Sequence, residues 1–350
     1  MKPYIIVGAG ILGCSTAYHL AKKGAPVLLI DQHDQGEATR SAAGIISPWL
    51  SQKNNPKLYE MINKGAHYYP AIINELANDG ITNTSYKKVG SLHLHKSDHK
   101  LDKMIDDLED RKTNATGIED ISKLTGEEVK SNFPMLSNRM GAIHVSGGAR
   151  VNGDWMKKAL KEGAKQHGAE VIHGEAELVN ETTIRIGRQT FDAETLIVTN
   201  GAWADRFLKH IGVKLDVTSQ KTQILQLEMI HDDPSKWPAI MLPNNKYIVG
   251  FENNKVFIGS AHEENHDFDS TSSAVGVYEI LKTAFKFAPG LEDAKFIESR
   301  IGFRPMLPNK TPYIGYLPGY SKIMIANGLG ASGITSGPFL GSEVAKIVTR

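Results

Sequence analysis

Cysteine is almost absent: of 350 residues, only Cys14 carries a thiol. A single thiol excludes an intramolecular disulfide and a cysteine-based zinc cluster, and it fits a reducing compartment. Long apolar runs are missing too, since none approaches the roughly 20 residues a membrane helix needs. The first strand begins at Tyr4 and leaves no room for a secretory signal. A cytoplasmic protein without a transmembrane segment is the expectation. Nor is there an excess of one charge, because 40 Lys and Arg face 39 Asp and Glu for a net charge of +1. That balance gives no reason to expect nucleic acid or a strongly acidic partner, so a ligand must be recognised locally. Repeats and low-complexity segments are likewise missing. What remains is a chain with 41% hydrophobic residues, long enough for one large core or two smaller ones, and two domains are the better expectation.

Tyr4-Ile5-Ile6-Val7 is fully apolar and rich in β-branched residues, which reads as a buried parallel strand. A helix follows over residues 11–23, with Gly24 as its stop, and Val27-Leu28-Leu29-Ile30 is a second buried strand ending at Asp31. Helical spacing recurs over residues 56–79, 100–111 and 155–167. Residues 89–95 read as a strand with His93 and His95 on one side; no third ligand accompanies them, so no metal is expected. Residues 170–173 and 195–198 are further strands, with a hairpin reaching residue 185 between them. Residues 220–229, 246–251 and 256–261 look instead like antiparallel strands, the last two joined at Glu252-Asn253-Asn254-Lys255. Strands over 296–303 and 323–326 and a helix over 335–348 close the chain. The strand–helix alternation thus appears at the start, middle and end, so one nucleotide domain is expected to be assembled from separated segments.

Gly8-Ala9-Gly10-Ile11-Leu12-Gly13 lies between a strand and a helix, with Asp31 at the tip of the next strand. In this context Gly8 permits the tight turn, Gly10 lets backbone approach a pyrophosphate, and Gly13 lets helix and strand pack closely. The helix amino terminus offers free N–H groups to phosphate. The Asp31 carboxylate can accept ribose hydroxyls and would repel a 2′-phosphate, which favours FAD or NAD over NADP. The turn alone does not separate those two.

Five stretches in order resemble the D-amino acid oxidase family, which includes glycine and sarcosine oxidases. They are the amino-terminal unit, Glu37-Ala38-Thr39-Arg40-Ser41-Ala42-Ala43-Gly44-Ile45, Val198-Thr199-Asn200-Gly201-Ala202-Trp203, Gly302-Phe303-Arg304-Pro305, and Gly328-Leu329-Gly330-Ala331-Ser332-Gly333-Ile334. The resemblance implies an α/β chain, α+β overall, in which a Rossmann-like FAD-binding domain (1–50, 141–215 and 296–350) is interleaved with a substrate domain on an antiparallel sheet (51–140 and 216–295). It further implies that Arg40 to Gly44 run beside the pyrophosphate and the flavin, that Gln32, Thr39 and Ile45 also belong to the cofactor site, and that Ala176 touches adenine by backbone. Asn200, Gly201 and Gly302 would pass close to the cofactor. The terminal loop, Gly328 to Ile334, is followed by a helix but no strand, so it cannot form a second Rossmann unit; the helix amino terminus can instead stabilise negative charge on the flavin pyrimidine. Trp203 reads as core more readily than as a contact. With Cys14 inside the dinucleotide turn, the FAD is expected to be held non-covalently.

Strand alternation puts Arg300, Gly302 and Arg304 on one face. Arg304 matches the family's arginine for the substrate carboxylate, where a planar guanidinium makes two parallel hydrogen bonds. Tyr247 lies where the family often supplies a tyrosine to the same pocket, and buried packing is an equal reading of it. The resemblance implies oxidation of a small amino acid at its carbon–nitrogen bond, with oxygen or another electron acceptor, and no side chain is assigned as acid, base or nucleophile. The alternatives are a dehydrogenase passing electrons to a quinone or carrier, a non-catalytic FAD-containing subunit, and an NAD-dependent dehydrogenase.

Overall fold

Strands Tyr4–Val7, Val27–Asp31 and Thr195–Val198 are apolar along nearly their whole length, and such strands are stable only where both faces are covered. In the computed structural model, which describes residues 1–32, 35–51, 55–264 and 267–350, they lie side by side in a six-stranded sheet. Its order is Tyr313–Tyr316, Ile323–Asn327, Thr195–Val198, Tyr4–Val7, Val27–Asp31 and Glu170–His173. Every neighbouring pair is parallel except the Tyr313–Tyr316 edge. Ile6, Leu29 and Ile197 point to one face, against helices Ile11–Lys22, Gly153–Gln166 and Gly333–Val348. Ile5, Leu28 and Leu196 point to the other, against a small sheet of Ala176–Leu178, Thr183–Ile186 and Gln189–Asp192. Helix Ile11–Lys22 packs against both of its neighbouring helices, which explains why eleven of its residues are buried.

The second sheet has eight strands, ordered Lys295–Met306, Thr218–Glu228, Lys255–Glu264, Lys246–Gly250, Ala239–Leu242, Ser91–His95, Gly141–Val145 and Ile121–Leu124. Its pairs are antiparallel apart from Ala239–Leu242 beside Ser91–His95. The turn at 252–254 carries Asn253 and Asn254 at φ 59° and 56°, the left-handed pair that a tight hairpin favours and that asparagine tolerates. One face of this sheet, through Leu225, Leu227 and Ile258, is covered by helix Ala274–Phe287. The other face carries Ile224, Tyr247, Val249 and Phe257, and Ala43 and Ile45 pack against it. The loop after the first βαβ unit therefore runs between the two sheets.

The expected fold class holds: α/β, with a Rossmann-like sheet beside a larger, mostly antiparallel one. Two strands sit elsewhere than the sequence boundaries placed them. Residues 141–215 and 296–350 were assigned to the FAD-binding domain, and strands Gly141–Val145 and Lys295–Met306 at their starts pair in the larger sheet. Apolar alternation identifies a strand, but only its hydrogen-bonded neighbours say which sheet it joins. Helix Ala274–Phe287, capped by the Ser273 hydroxyl on Gly276 N–H, and strand Ala239–Leu242 were not anticipated. His93 bonds Ser91 at 3.2 Å, and His95 Nδ1 accepts the Ser97 N–H at 2.9 Å. Among the described residues no group of histidine, cysteine or acidic side chains is arranged for a metal, and no helix is long and apolar enough to cross a membrane.

Candidate active site

At the carboxyl end of strand Tyr4–Val7 the chain turns through Gly8, whose φ of +103° is closed to ordinary side chains. Thr199, at the end of the neighbouring strand, hydrogen-bonds Val7 O and Gly8 O at 3.0 and 2.8 Å, fixing this turn. A Cβ on Gly13 would stand 1.9 Å from Gly8 O, so Gly13 serves close packing and does not face the cavity. Ala9 N–H donates to Asp31 Oδ1 at 3.1 Å, and Ile11 N–H donates to Thr39 Oγ1 at 3.1 Å. The turn, the acidic strand tip and the 39–45 loop are thereby tied into one wall.

The carboxyl-terminal loop reaches the same place. Asn327 Nδ2 donates to Gly201 O at 2.8 Å while its Oδ1 accepts Gly328 N–H at 2.6 Å. Asn327 is buried and stitches the 200–203 turn to the final glycine loop. Beyond it, helix Gly333–Val348 begins with no side-chain cap, leaving first-turn N–H groups and the positive end of the helix dipole toward the loop.

These walls enclose one cavity of about 710 Å³, inside the range of roughly 300–1,000 Å³ usual for ligand sites. Gly8, Gly10, Ile11, Leu12, Asp31, Gln32, Thr39, Ala42, Ala43, Gly44, Ile45, Ala176, Asn200, Gly201 and the whole stretch from Gly328 to Ile334 line it, together with Tyr247 and Arg304. Three residues expected beside the cofactor, Arg40, Ser41 and Gly302, do not line this cavity. Gly13 packs helix against strand, the role its place in the turn predicts. Ser41 donates its hydroxyl to Ile301 O at 2.5 Å, and Gly302 lies against Ser41, whose Cβ a Cβ on Gly302 would meet at 2.6 Å. Arg40 points to a separate cleft, within 4.0 Å of Asp154 and 3.7 Å of Glu298. A hydrogen bond to backbone turns the Ser41 hydroxyl away, acidic partners draw the Arg40 guanidinium into the other cleft, and Ser41 fills the space beside Gly302. Arg300 also leaves the site: it bonds Glu298 and Gln226 and lies 3.6 Å from Asp154. It lines that second cleft although it shares a strand face with Arg304.

The antiparallel sheet supplies the far wall. Arg304, paired in register with Gln220, has no carboxylate partner among the described residues. Its Nη1 stands 3.5 Å from His262 Nδ1. Burial, together with Arg304 and Lys246, pulls the His262 pKa down to about 4, so the ring is neutral near pH 7. In that form Nδ1 accepts from Arg304 and Nε2–H donates to Ser260 Oγ, 2.9 Å away. Tyr247 is buried, and its hydroxyl has no hydrogen-bond partner among the described residues; burial pushes its phenol pKa up while Arg304 and the neighbouring Ser260 act the other way, so it is a neutral donor. Asn200 Oδ1 is likewise buried and unpaired among the described residues. Trp203 stacks on Phe268 with ring centroids 5.1 Å apart, and it also edges the cavity. Thr199, Asn327, Ser260 and His262 were not assigned from sequence. Thr199 stood inside a quoted motif, whereas His262 is separated from Arg304 by 42 positions and no local pattern marks it.

The cavity fits a bound dinucleotide such as FAD: it pairs a glycine turn with an acidic strand tip, an uncapped helix terminus and the orphaned Asn200 oxygen. Cys14 lies outside it, with its Sγ donating to Ala9 O at 3.2 Å, and burial raises the thiol pKa to about 12.

The sequence matches the model of the FAD dependent oxidoreductase family (DAO) over residues 3–347. It is 46% identical over 353 residues to the uncharacterised oxidoreductase YurR of Bacillus subtilis strain 168, covering 99% of this chain and 95% of that protein. The structure of iminodiacetate oxidase from Chelativorans sp. BNC1 superposes with a TM-score of 0.95 at 36% identity, over 99% of this chain and 95% of the other. Glycine oxidase from Geobacillus kaustophilus gives a TM-score of 0.86 at 26% identity, over 100% and 95% of the two chains.

Proposed function

Because this chain belongs to the DAO family of FAD-dependent oxidoreductases, we propose that it oxidises the carbon–nitrogen bond of a small amino acid with a primary or secondary amine. The observation that carries this reading is Arg304, a guanidinium with no acidic partner among the described residues, in the same cavity as the dinucleotide turn and the terminal glycine loop. A glycine oxidase and an iminodiacetate oxidase among the similar proteins support the same class of substrate.

In this reading the Gly8 to Leu12 turn holds the pyrophosphate, with Asp31 and Gln32 at the ribose and Ala176 at adenine. Ala42 to Ile45 and Gly328 to Ile334 border the flavin. Bound FAD supplies an acceptor for the hydride leaving the substrate α-carbon. Arg304 grips the carboxylate through two parallel N–H donors, and the Tyr247 hydroxyl donates to the same anion. Neutral His262 keeps the guanidinium from turning away. No carboxylate lines this end of the cavity among the described residues, so nothing there stabilises an ammonium, and the neutral amine is the form favoured. The resulting imine is hydrolysed by water to an oxo acid and ammonia or an amine. Orientation of the α-hydrogen is the protein's main contribution, and no side-chain base is required.

The purified protein is expected to be yellow, to release FAD on acid precipitation, and to lose its flavin absorbance anaerobically with at least one of glycine, sarcosine, iminodiacetate, D-amino acids or cyclic imino acids. Oxygen uptake compared with dye reduction then identifies the acceptor class. A colourless protein that takes up no FAD, or a flavin that no amine bleaches, overturns the proposal.

A further inference from the structure

In the short strand Ile45–Ile46, which pairs with Ala149–Arg150, alternation turns Ile45 to the cavity and Ile46 into the core beneath the six-stranded sheet. Ser47 returns to the cavity side. Ile45 is fixed from two directions. Its carbonyl accepts the Thr335 hydroxyl at 3.2 Å, from the first turn of helix Gly333–Val348, and its side chain packs on the sheet face that carries Tyr247. Ser47 therefore stands one strand repeat, about 7 Å along the chain, from the place where the terminal helix and the larger sheet meet.

Behind Ser47 runs a buried polar chain. Ser47 Oγ lies 2.8 Å from Ser91 Oγ, which lies 3.2 Å from His93 Nε2. Ser91 and His93 are buried and do not line the cavity, so within this chain Ser47 is the member that reaches it. Met241 is in register with both His93 and Tyr247, which puts His93 two strands from Tyr247 on the cavity face; Leu92 and Leu94 fill the core on the other face. Burial, with His144 adding to the effect, lowers the His93 pKa to about 4. The ring is neutral near pH 7 and holds a single ring proton. Burying such groups costs free energy unless each is hydrogen-bonded, and apolar residues at 91 and 93 would hold the strand without that cost.

From this chain we infer a hydrogen bond to the flavin: His93 Nε2–H donates to Ser91, the Ser91 hydroxyl to Ser47, and the Ser47 hydroxyl to an acceptor on the isoalloxazine edge. The inference rests on the FAD reading of the cavity and adds a residue that tunes the cofactor, with Ser91 and His93 as positioning residues acting through it. The heteroatom edge of the ring gains negative charge on reduction, so a donor there favours the reduced form. Hydrogen bonds in series polarise one another, which aligns the last hydroxyl more firmly than solvent does.

The test reads the two-electron reduction potential of the FAD-loaded protein by equilibration with a reference dye, with no amine present. Loss of one hydrogen bond in Ser47→Ala is expected to shift the equilibrium roughly tenfold toward oxidised flavin, about 30 mV downward. Ser91→Ala and His93→Leu lower the potential in the same sense with FAD content unchanged, whereas His93→Gln, which keeps a donor, stays near the wild type. An unchanged or raised potential in Ser47→Ala overturns the inference. So does a Ser91→Ala protein with the wild-type potential, or a His93→Gln protein as low as His93→Leu. Weaker methoxyacetate binding in Ser47→Ala at an unaltered potential also overturns it, by assigning the hydroxyl to the substrate. Because no turnover is needed, a lowered potential in a flavoprotein that no amine bleaches upholds the hydrogen bond and rejects only the oxidase reading.

Discussion

Arg304 and His262 illustrate how a single side chain acquires its role from a distant one. Arginine at position 304 was readable from its Gly-x-Arg-Pro setting, but the neutral acceptor facing it at 3.5 Å was not. The histidine contributes because burial lowers its pKa to about 4; a protonated ring would repel the guanidinium. Arg304→Lys keeps the charge and loses the fork. Losing one charge-assisted hydrogen bond costs roughly 1.5–3 kcal/mol, so steady-state kinetics with the best amino acid substrate are expected to show KM raised roughly ten- to a hundredfold, with FAD still bound. Unaltered KM would remove Arg304 from the carboxylate site. Arg300 teaches the converse, since alternation placed it correctly on the strand face, yet its bonds to Glu298 and Gln226 assign it to another cleft.

At the scale of elements, the first strand, turn and helix were legible because their chemistry is local. The motif spacing and the apolar strand needed no information from elsewhere in the chain. Gly13 shows how tightly that element is closed, with backbone oxygen 1.9 Å from where a Cβ would stand. Gly13→Ala is expected to push helix Ile11–Lys22 off the strand, reducing FAD content in the purified protein and lowering Tm. Gly24→Ala is the control: nothing lies within 4 Å of its Cβ position, although φ is +79°. It should retain FAD and lose only about 1 kcal/mol of stability. Equal FAD occupancy in both variants would contradict the packing role given to Gly13. The larger sheet was less legible, because Gly141–Val145 and Lys295–Met306 carry no local mark of their pairing partners.

Across the whole molecule, two histidines buried in different halves link stability to pH. His19, in helix Ile11–Lys22, has its pKa lowered to about 3 by burial and then by Lys22. His93, in the larger sheet, is lowered to about 4 by burial and then by His144. Both pKa values lie below the value of roughly 6.5 expected in the unfolded chain. Protons therefore bind the unfolded state preferentially, and the stability present above pH 6.5 is lost as pH falls toward 4. Thermal unfolding should show Tm declining through that window, less steeply in His93→Gln; a wild-type Tm that is flat between pH 6.5 and 5 would contradict neutral burial. The sequence by itself determined the dinucleotide turn, the strand and helix alternation, the family and the arginine, because each is written in residues close along the chain. Only the tertiary structure decided that Asn327 clasps Gly201, that His262 faces Arg304, and that Arg40, Ser41 and Gly302 stand outside the cavity. Those facts depend on which strands pair and which loops meet, and chain closure over tens or hundreds of residues leaves no periodic trace in the residues it joins.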